Sequence, residues 1–287
     1  MAALQRALGR NSAYLLVGPA ALWLGIFFVI PMISLLTTSL SDPAGSPIYG
    51  YSMTWRFENY VDVVADYWPY LVRSFVYAGI ATVLCLILGY TLAYAIAFKA
   101  GRFKTLMLVL VVAPFFTSFL VRTLSWKLIL ADNGWLVETL KTLHLMPEDG
   151  RLLATPIAVV AGLTYNFLPF MILPLYASLE KIDPKLNEAA ADLYANPFKR
   201  FWNVVWPLSL PGVVGGTLLT FIPASGDYIN ASLLGNPNTQ MVGNRIQSLF
   251  TTGSDYPHAA ALSVILMVLI VVMVMVYVRR AGTEDLL

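Results

Sequence analysis

The chain has 287 residues, of which 58% are hydrophobic and 12% are charged, and its mean hydropathy is +0.71. Soluble domains carry about 25% charged residues, so this composition excludes an ordinary soluble protein and indicates an integral membrane protein. The formal net charge is only +2 and no long run of Lys and Arg is present, which argues against a nucleic-acid partner. The single cysteine, Cys85, has no partner for a disulfide within the chain.

Six continuous apolar runs are long enough to cross a bilayer, which takes about 20 residues as a helix. Continuous runs exclude the alternating strands of a membrane β-barrel. We therefore predict an all-α membrane protein with six transmembrane helices and a single transmembrane domain over residues 1–287. The runs fall near residues 13–37, 71–98, 105–126, 154–176, 208–225 and 259–278.

The first run follows Arg6 and Arg10, a pattern that a cleavable signal peptide also shows. The run from Ala13 to Thr37 is too long for a typical signal core, and no convincing small-residue cleavage site follows it. We expect an uncleaved first helix.

The distribution of charge predicts the orientation of the chain. With the N-terminus inside, the inner segments contain eleven basic residues and the outer segments only four. The positive-inside rule therefore places both termini in the cytoplasm.

The predicted outer segments are rich in acidic and aromatic residues. Two interpretations remain open: ordinary solvated loops, or a vestibule that attracts cations. The acidic residues before the fourth run are Asp42, Glu58, Asp62, Asp66, Asp132, Glu138, Glu148 and Asp149.

Residues 183–206 form a charged stretch between the fourth and fifth runs. Asp183 followed by Pro184 is a helix start, with an N-cap carboxylate before a proline at the first helical position. Leu186, Ala189, Ala190 and Leu193 then recur at helical spacing. The pattern predicts a short amphipathic helix.

Asn196 followed by Pro197 repeats this start signal, and Phe198, Phe201 and Trp202 make a second apolar face. We predict two short helices that meet near residues 194–196. They could rest on the inner leaflet as an interfacial pair, or they could dock into a groove of another protein. The periodicity leaves both interpretations open.

The same stretch is similar to the E-A-A loop of permease subunits from binding-protein-dependent ABC importers. The family pattern is E-A-A, three residues, G, nine residues, then I-x-L-P. Glu188, Ala189 and Ala190 match, and Pro207 stands at the conserved spacing. Tyr194 replaces the glycine and Trp206 the leucine. Because glycine tolerates a positive φ, either Tyr194 accepts strain or the turn shifts toward Asn196.

The segments "LPFMILPLYASLEKIDPKLNEAAADLY" and "PASGDYINASLLGNPNTQMVGN" resemble the spermidine/putrescine branch of this family, in particular its first permease subunit. The resemblance covers a family core near residues 71–280, while residues 1–70 fit an extra N-terminal span with its outer loop. It implies a MetI-like permease fold with cytoplasmic coupling helices at 183–206, in the bacterial inner membrane.

The resemblance also implies the function and the partners. The chain would form the path for a small solute, with a second homologous permease, two ATPase subunits, a periplasmic or lipid-anchored binding protein and the surrounding lipid. The residues implied to couple to the ATPase are Glu188, Ala189, Ala190, Leu193, Tyr194 and Phe198.

The sequence lacks the motifs of an enzyme. No Gly-Lys pair occurs, so no phosphate-binding loop is present, and no His/Cys or Glu/His cluster has metal-ligand spacing. We expect no catalytic residue, no metal and no cofactor in this chain, with ATP and Mg²⁺ bound by the partner ATPase.

Three residues are candidates for the substrate path. Asn166 lies near the middle of the fourth run, where an amide serves either an interhelical hydrogen bond or the substrate. Asp227 and Tyr228 follow the fifth run and could hold an ammonium group by charge and cation-π attraction. The alternative for Asp227 is that it caps a short helix. Arg122 and Lys127 would oppose a cation unless they reach the interface or pair with an acid.

Residues 239–252 show helical spacing between the last two runs, which predicts a short outer helix that receives a binding protein or packs on its own bundle. Rival functions are an ABC permease for iron, thiamine, sulfate or an organophosphonate, and a self-sufficient secondary transporter, although inverted repeats are not evident.

Overall fold

A computed structural model describes residues 17–281. Within these residues the secondary structure is helical, and only two isolated bridges, Ser41 with Met53 and Ser46 with Gly50, have β geometry. The all-α prediction is confirmed. The helices are α1 Val17–Ser39, α2 Glu58–Phe98, α3 Gly101–Phe116, α4 Phe119–Ile129, α5 Trp135–Thr142, α6 Pro156–Glu180, α7 Pro184–Asp192, α8 Pro197–Ser225, α9 Ile229–Leu234, α10 Val242–Ser248 and α11 Tyr256–Ala281.

Five of the described helices, α1, α2, α6, α8 and α11, are long and apolar enough to cross a membrane on their own. The first predicted run corresponds to α1, while Arg6 and Arg10 lie outside the described residues. A sixth crossing requires α3 and α4 together.

The third predicted span, 105–126, is wrong as a continuous helix. Helices α3 and α4 are bent by 96° at residues 117–118. The last turn of α3, Ala113–Phe116, is a tight 3₁₀ turn that contains Pro114, and Thr117 follows in an extended conformation with φ −105° and ψ 145°. Proline cannot donate a backbone hydrogen bond, so this segment leaves the α-helix although its hydropathy stays high.

The described residues form two compact units, 17–66 with 248–267, and 67–247 with 268–281. In the first unit, the buried side chain of Asn59 donates to the carbonyl oxygens of Ser39 and Ser41, both at 2.9 Å. These two hydrogen bonds fasten the end of α1 to the start of α2. The hydroxyl groups of Ser39 and Tyr60 add a contact of 2.6 Å.

In the second unit, α6 lies at the centre of the packing. Gly212 and Gly216 of α8 face it so closely that a Cβ on Gly212 would stand 2.6 Å from Ser178 Cβ, and a Cβ on Gly216 2.7 Å from Met171 Sδ. Small residues let membrane helices approach in this way. The α6–α8 pair therefore fixes the positions of the segments at both of its ends.

Candidate functional site

Helix α7 begins and ends where the sequence predicts. The Asp183 carboxylate accepts the backbone N–H of Lys185 at 2.9 Å, and Pro184 is the first helical residue. At the other end the N–H of Tyr194 donates to Ala191 at 2.9 Å and that of Ala195 to Ala190 at 3.1 Å. These two bonds form a Schellman motif, which satisfies the last carbonyl groups of the helix.

Tyr194 occupies the left-handed position of this motif, with φ +56°. The turn stays at the glycine position of the E-A-A pattern and does not shift to Asn196. A left-handed conformation costs a residue with a Cβ about 1–2 kcal/mol. Tyr194 is 98% exposed, so no packing within the described residues offsets this strain.

The second predicted short helix, which was expected to end near 206, is wrong as a separate element. The Asn196 side chain accepts the N–H of Lys199 at 2.8 Å and starts the helix as expected. The helix then continues through a π turn, Phe201–Val205, into the span α8. The N–H of Trp206 bonds back to Phe201, five residues earlier, so Pro207 enters the helix without breaking it.

The predicted coupling residues lie together on an exposed surface. Leu193 is 82% and Phe198 70% exposed, and the side chain of Glu188 is also exposed. Ala189 and Ala190 add no bulk to α7, so its backbone is open to close approach. The apolar groups and the carboxylate are thus available to a partner.

Asp227, by contrast, is only 8% exposed. It follows α8 by two residues and accepts the backbone N–H of Asn230 at 2.8 Å and the side-chain amide of Asn230 at 3.2 Å. Burial raises the pKa of its carboxyl to about 6, and the two hydrogen bonds from Asn230 act in the opposite direction. No basic side chain of the described residues forms an ion pair with it.

Asn230 connects Asp227 to the other predicted path residue in the span α6. The amide of Asn166, which is 1% exposed, donates to Asn230 Oδ1 at 3.0 Å and to Thr123 Oγ1 of α4 at 3.2 Å. The interhelical hydrogen bond expected for Asn166 is therefore present. Sequence reasoning missed Asn230, although a polar residue three positions after an aspartate in an apolar segment was a usable signal.

Tyr228 lies beside this network with its side chain 40% exposed. Its carbonyl oxygen accepts the amide of Asn244, which also donates to Ser232 Oγ at 2.6 Å. These contacts hold α10 against the segment that contains Asp227.

The helix predicted within 239–252 is present as α10 with the π turn Leu249–Gly253. The N–H of Val242 donates to Ser74 Oγ at 2.8 Å, and Arg245 donates to the Tyr70 hydroxyl at 2.6 Å. Packing on its own bundle accounts for this helix.

Arg122 and Lys127 both lie on α4. The Arg122 guanidinium stands 5.9 Å from the Phe115 ring and 5.6 Å from the Phe119 ring. Its Nε and Nη1 have no hydrogen-bond partner among the described residues. An acidic partner for Arg122, one of the two expected arrangements, is therefore not found in the part of the chain that the structure describes.

Three of the predicted outer acidic residues form ion pairs with arginine. Asp132 lies 2.8 Å from Arg151, and Asp42 and Glu58 lie 3.5 and 3.4 Å from Arg56. These pairs reduce the negative charge that the loops present to solution.

Comparison with known proteins identifies the family. The family described as "Binding-protein-dependent transport system inner membrane component" matches residues 89–281. The spermidine/putrescine transport system permease protein PotB of Haemophilus influenzae is 40% identical over 258 residues, 90% of each chain. PotB of Escherichia coli is 35% identical over 90% of this chain and 94% of its own.

Solved structures share the fold at lower identity. A bacterial ABC transporter involved in the import of the acidic polysaccharide alginate has a chain with a TM-score of 0.78 and 17% identity, covering 98% of this chain and 99% of its own. A chain of a bacterial alginate ABC transporter in complex with an alginate pentasaccharide-bound periplasmic protein has a TM-score of 0.76 and 18% identity, covering 99% of this chain and 98% of its own. The helices, the E-A-A stretch and these matches agree: the chain belongs to the binding-protein-dependent transport system inner membrane components, the permease subunits of ABC importers.

Proposed function

We propose that this permease imports polyamines such as spermidine and putrescine. The observation that carries the proposal is the 40% identity over 90% of the chain to a permease named for those two solutes. Both solutes carry ammonium groups, so the path should contain a negative group that no cation of the protein neutralises.

Asp227 has the properties of such a group. It is buried, its carboxylate accepts two hydrogen bonds from Asn230, and no basic side chain of the described residues pairs with it. An isolated buried charge is costly, and an incoming ammonium would offset that cost by direct pairing. We assign Asp227 as a substrate contact, with the half-exposed ring of Tyr228 beside it for a cation-π contact.

We further propose that energy comes from two separate ATPase subunits, which bind ATP and Mg²⁺, and that a second homologous permease completes the path. The exposed carboxylate of Glu188 and the exposed apolar edge of Leu193, Tyr194 and Phe198 support docking of an ATPase subunit there. A periplasmic or lipid-anchored binding protein would deliver the solute on the opposite side.

The orientation that fits these roles has both termini in the cytoplasm. The excess of basic residues in the inner segments supports this arrangement. We regard residues 1–287 as one permease domain, since the matched residues 89–281 include segments of both compact units.

The test replaces Asp227 by asparagine in the complete transporter reconstituted in liposomes. Loss of the charge should raise the KM for spermidine at least ten-fold, because an ion pair in a buried site contributes about 2 kcal/mol or more. Assembly with the partner subunits should persist, since asparagine has the same shape.

Asp66→Asn is the matched control, because it removes the same charge from an exposed residue. Spermidine uptake by Asp227→Asn with an unchanged KM would remove Asp227 from the path. Uptake of an unrelated solute in preference to polyamines would overturn the assignment of the substrate.

A further inference from the structure

The backbone N–H of Asn230 and both polar atoms of its side chain belong to one small network. Its backbone N–H and its side-chain amide donate to the two carboxylate oxygens of Asp227, at 2.8 and 3.2 Å. Its side-chain oxygen accepts from Asn166 at 3.0 Å. The amide group therefore has one orientation, with the donor toward the carboxylate and the acceptor toward α6.

The position of Asn230 is fixed from the side of α6 and from α4. A Cβ on Gly162 of α6 would stand 2.8 Å from Asn230 Oδ1, so the glycine provides the space that Asn230 occupies. Asn166 is held in turn by Thr123 of α4, whose hydroxyl donates to the Phe119 carbonyl at 3.1 Å. Asn230 itself is fully buried.

Few other titratable groups lie on the elements around Asp227. No charged residue belongs to α9, and neither the cations of α4 nor that of α10 forms an ion pair with the carboxylate. The nearby titratable groups lie on its own segment, on the first half of α6, on α4, on α10 and on α2, which packs on Ala224 and Ala231; they are Tyr228, Tyr165, Arg122, Lys127, Arg245, Arg73 and Tyr77. Arg73 donates to the Gln240 carbonyl at 2.8 Å and forms no ion pair with Asp227. The carboxylate thus accepts from two neutral donors, the backbone N–H and the side-chain amide of Asn230.

We propose that Asn230 is the positioning residue of the substrate site: it aims the Asp227 carboxylate and favours its charged form without neutralising it. Donors on both oxygens stabilise the ionised carboxylate, and a neutral donor leaves its full charge for a cation. A lysine or arginine in place of Asn230 would occupy the site that an ammonium group needs. This inference rests on the proposed role of Asp227 and adds the residue that prepares it.

The test is the pH profile of spermidine uptake by the reconstituted transporter carrying Asn230→Leu, whose side chain has a similar shape but forms no hydrogen bond. Removing one donor from the carboxylate should raise the half-maximal pH, the pH at which the uptake rate is half of its maximum, by roughly one unit. This shift corresponds to a ten-fold change in the proton equilibrium of Asp227. The ionised fraction of Asp227 at pH 7 should then fall from about 0.9 to about 0.5, so KM at neutral pH should rise about two-fold and recover at alkaline pH. A purely structural role would not produce recovery at alkaline pH.

Asn244→Leu is the matched control. Asn244 is a buried amide of the same unit, but its side chain donates to the Tyr228 carbonyl and to Ser232 Oγ and not to the Asp227 carboxylate. Its substitution should lower the amount of assembled transporter and leave the half-maximal pH in place.

Gly162→Ala is the second variant, for the case in which Asn230→Leu does not assemble. It keeps Asn230 but displaces it from α6, so the half-maximal pH should move in the same direction. The proposal would be overturned if the variant that assembles, Asn230→Leu or Gly162→Ala, kept the half-maximal pH of the unmodified transporter. It would also be overturned if KM of the Asn244→Leu control recovered at alkaline pH. If Asp227→Asn shows a normal KM, the assignment of Asp227 fails first; if only the Asn230 prediction fails, Asp227 stands.

Discussion

Gly212 of α8 lies so close to α6 that a Cβ atom placed on it would stand 2.7 Å from the carbonyl oxygen of Pro174. Neither backbone can retreat easily, because the two helices are packed along their length. The Gly212→Ala variant should therefore lose about 1–3 kcal/mol of stability, the usual result of overpacking a core. Thermal unfolding of the purified subunit in detergent measures this loss.

Gly215→Ala is the control for that measurement. A Cβ there would meet only Pro174 Cβ, at an ordinary distance of 3.8 Å. We expect an unchanged or slightly raised melting temperature, because alanine favours the helix over glycine. Equal destabilisation by both substitutions would show that the contact at Gly212 is not the cause.

Replacement of Tyr194 by glycine should relieve the strain of its left-handed conformation. We expect Tyr194→Gly to leave the turn intact, and Tyr194→Val to disrupt it, because a β-branched residue is poorly tolerated at φ +56°. Limited proteolysis of the α7–α8 connection should report the difference, with faster cleavage of the valine variant. Faster cleavage of the glycine variant than of the unmodified protein would contradict this account.

Substitution of Glu188 by alanine should weaken binding of the ATPase subunits. Loss of one charge-assisted hydrogen bond corresponds to roughly ten-fold lower affinity. Co-purification of the ATPase and ATP-driven uptake are the two measurements. Asp192→Ala removes an equally exposed carboxylate from the same helix, outside the E-A-A pattern, and should have the smaller effect. Full uptake by Glu188→Ala would end the coupling assignment.

Uptake should depend on external pH through Asp227. Burial raises the pKa of this carboxyl to about 6, so its charge is present above pH 6 and is lost as the pH falls through that value. A cationic substrate requires the charged form, and uptake should fall to about half at pH 6 and about a tenth at pH 5. Initial uptake rates at saturating levels of loaded binding protein would show this profile.

Unfolding would not explain such a fall. A carboxyl whose pKa is higher in the folded than in the unfolded protein stabilises the fold when it is protonated, so Asp227 adds stability as the pH decreases. Thermal stability that stays level or rises between pH 7 and 5 is therefore the control. A flat uptake profile over this range would contradict a role for the Asp227 charge.

Hydropathy was sufficient to find the membrane helices but not the break between α3 and α4. The apolar character continues through Pro114 to Phe119, so the hydropathy averaged over a window of 20 residues does not fall at the break. The bend depends on the backbone of Pro114 and Thr117, which hydropathy does not measure. Helix caps were more informative: Asp183 and Asn196 accept the N–H groups expected of them.

The polar network shows a second limit of sequence reasoning. Asn166 and Asp227 were recognisable alone, because a polar residue in or beside a span is unusual. Asn230 gave only the signal of a polar residue three positions after an aspartate, since its importance comes from the approach of α9 to Gly162, a contact between residues 68 positions apart in the chain. One sequence without relatives gives no direct information on such distant contacts.

The continuity of α8 through its π turn has a mechanical consequence. Its 29 residues run without interruption from the turn beside Tyr194 to the segment that carries Asp227. At 1.5 Å per residue the helix is about 43 Å long. If it tilts as a rigid rod by about 5° about one end, its other end moves by roughly 4 Å. The Asp227 and Asn230 segment follows this end of the helix, and its hydrogen bond to Asn166 of α6 spans 3.0 Å, so a displacement of that size would break that bond. A small rotation imposed at one face of the membrane would thus be enough to detach the Asp227 segment from α6 at the other.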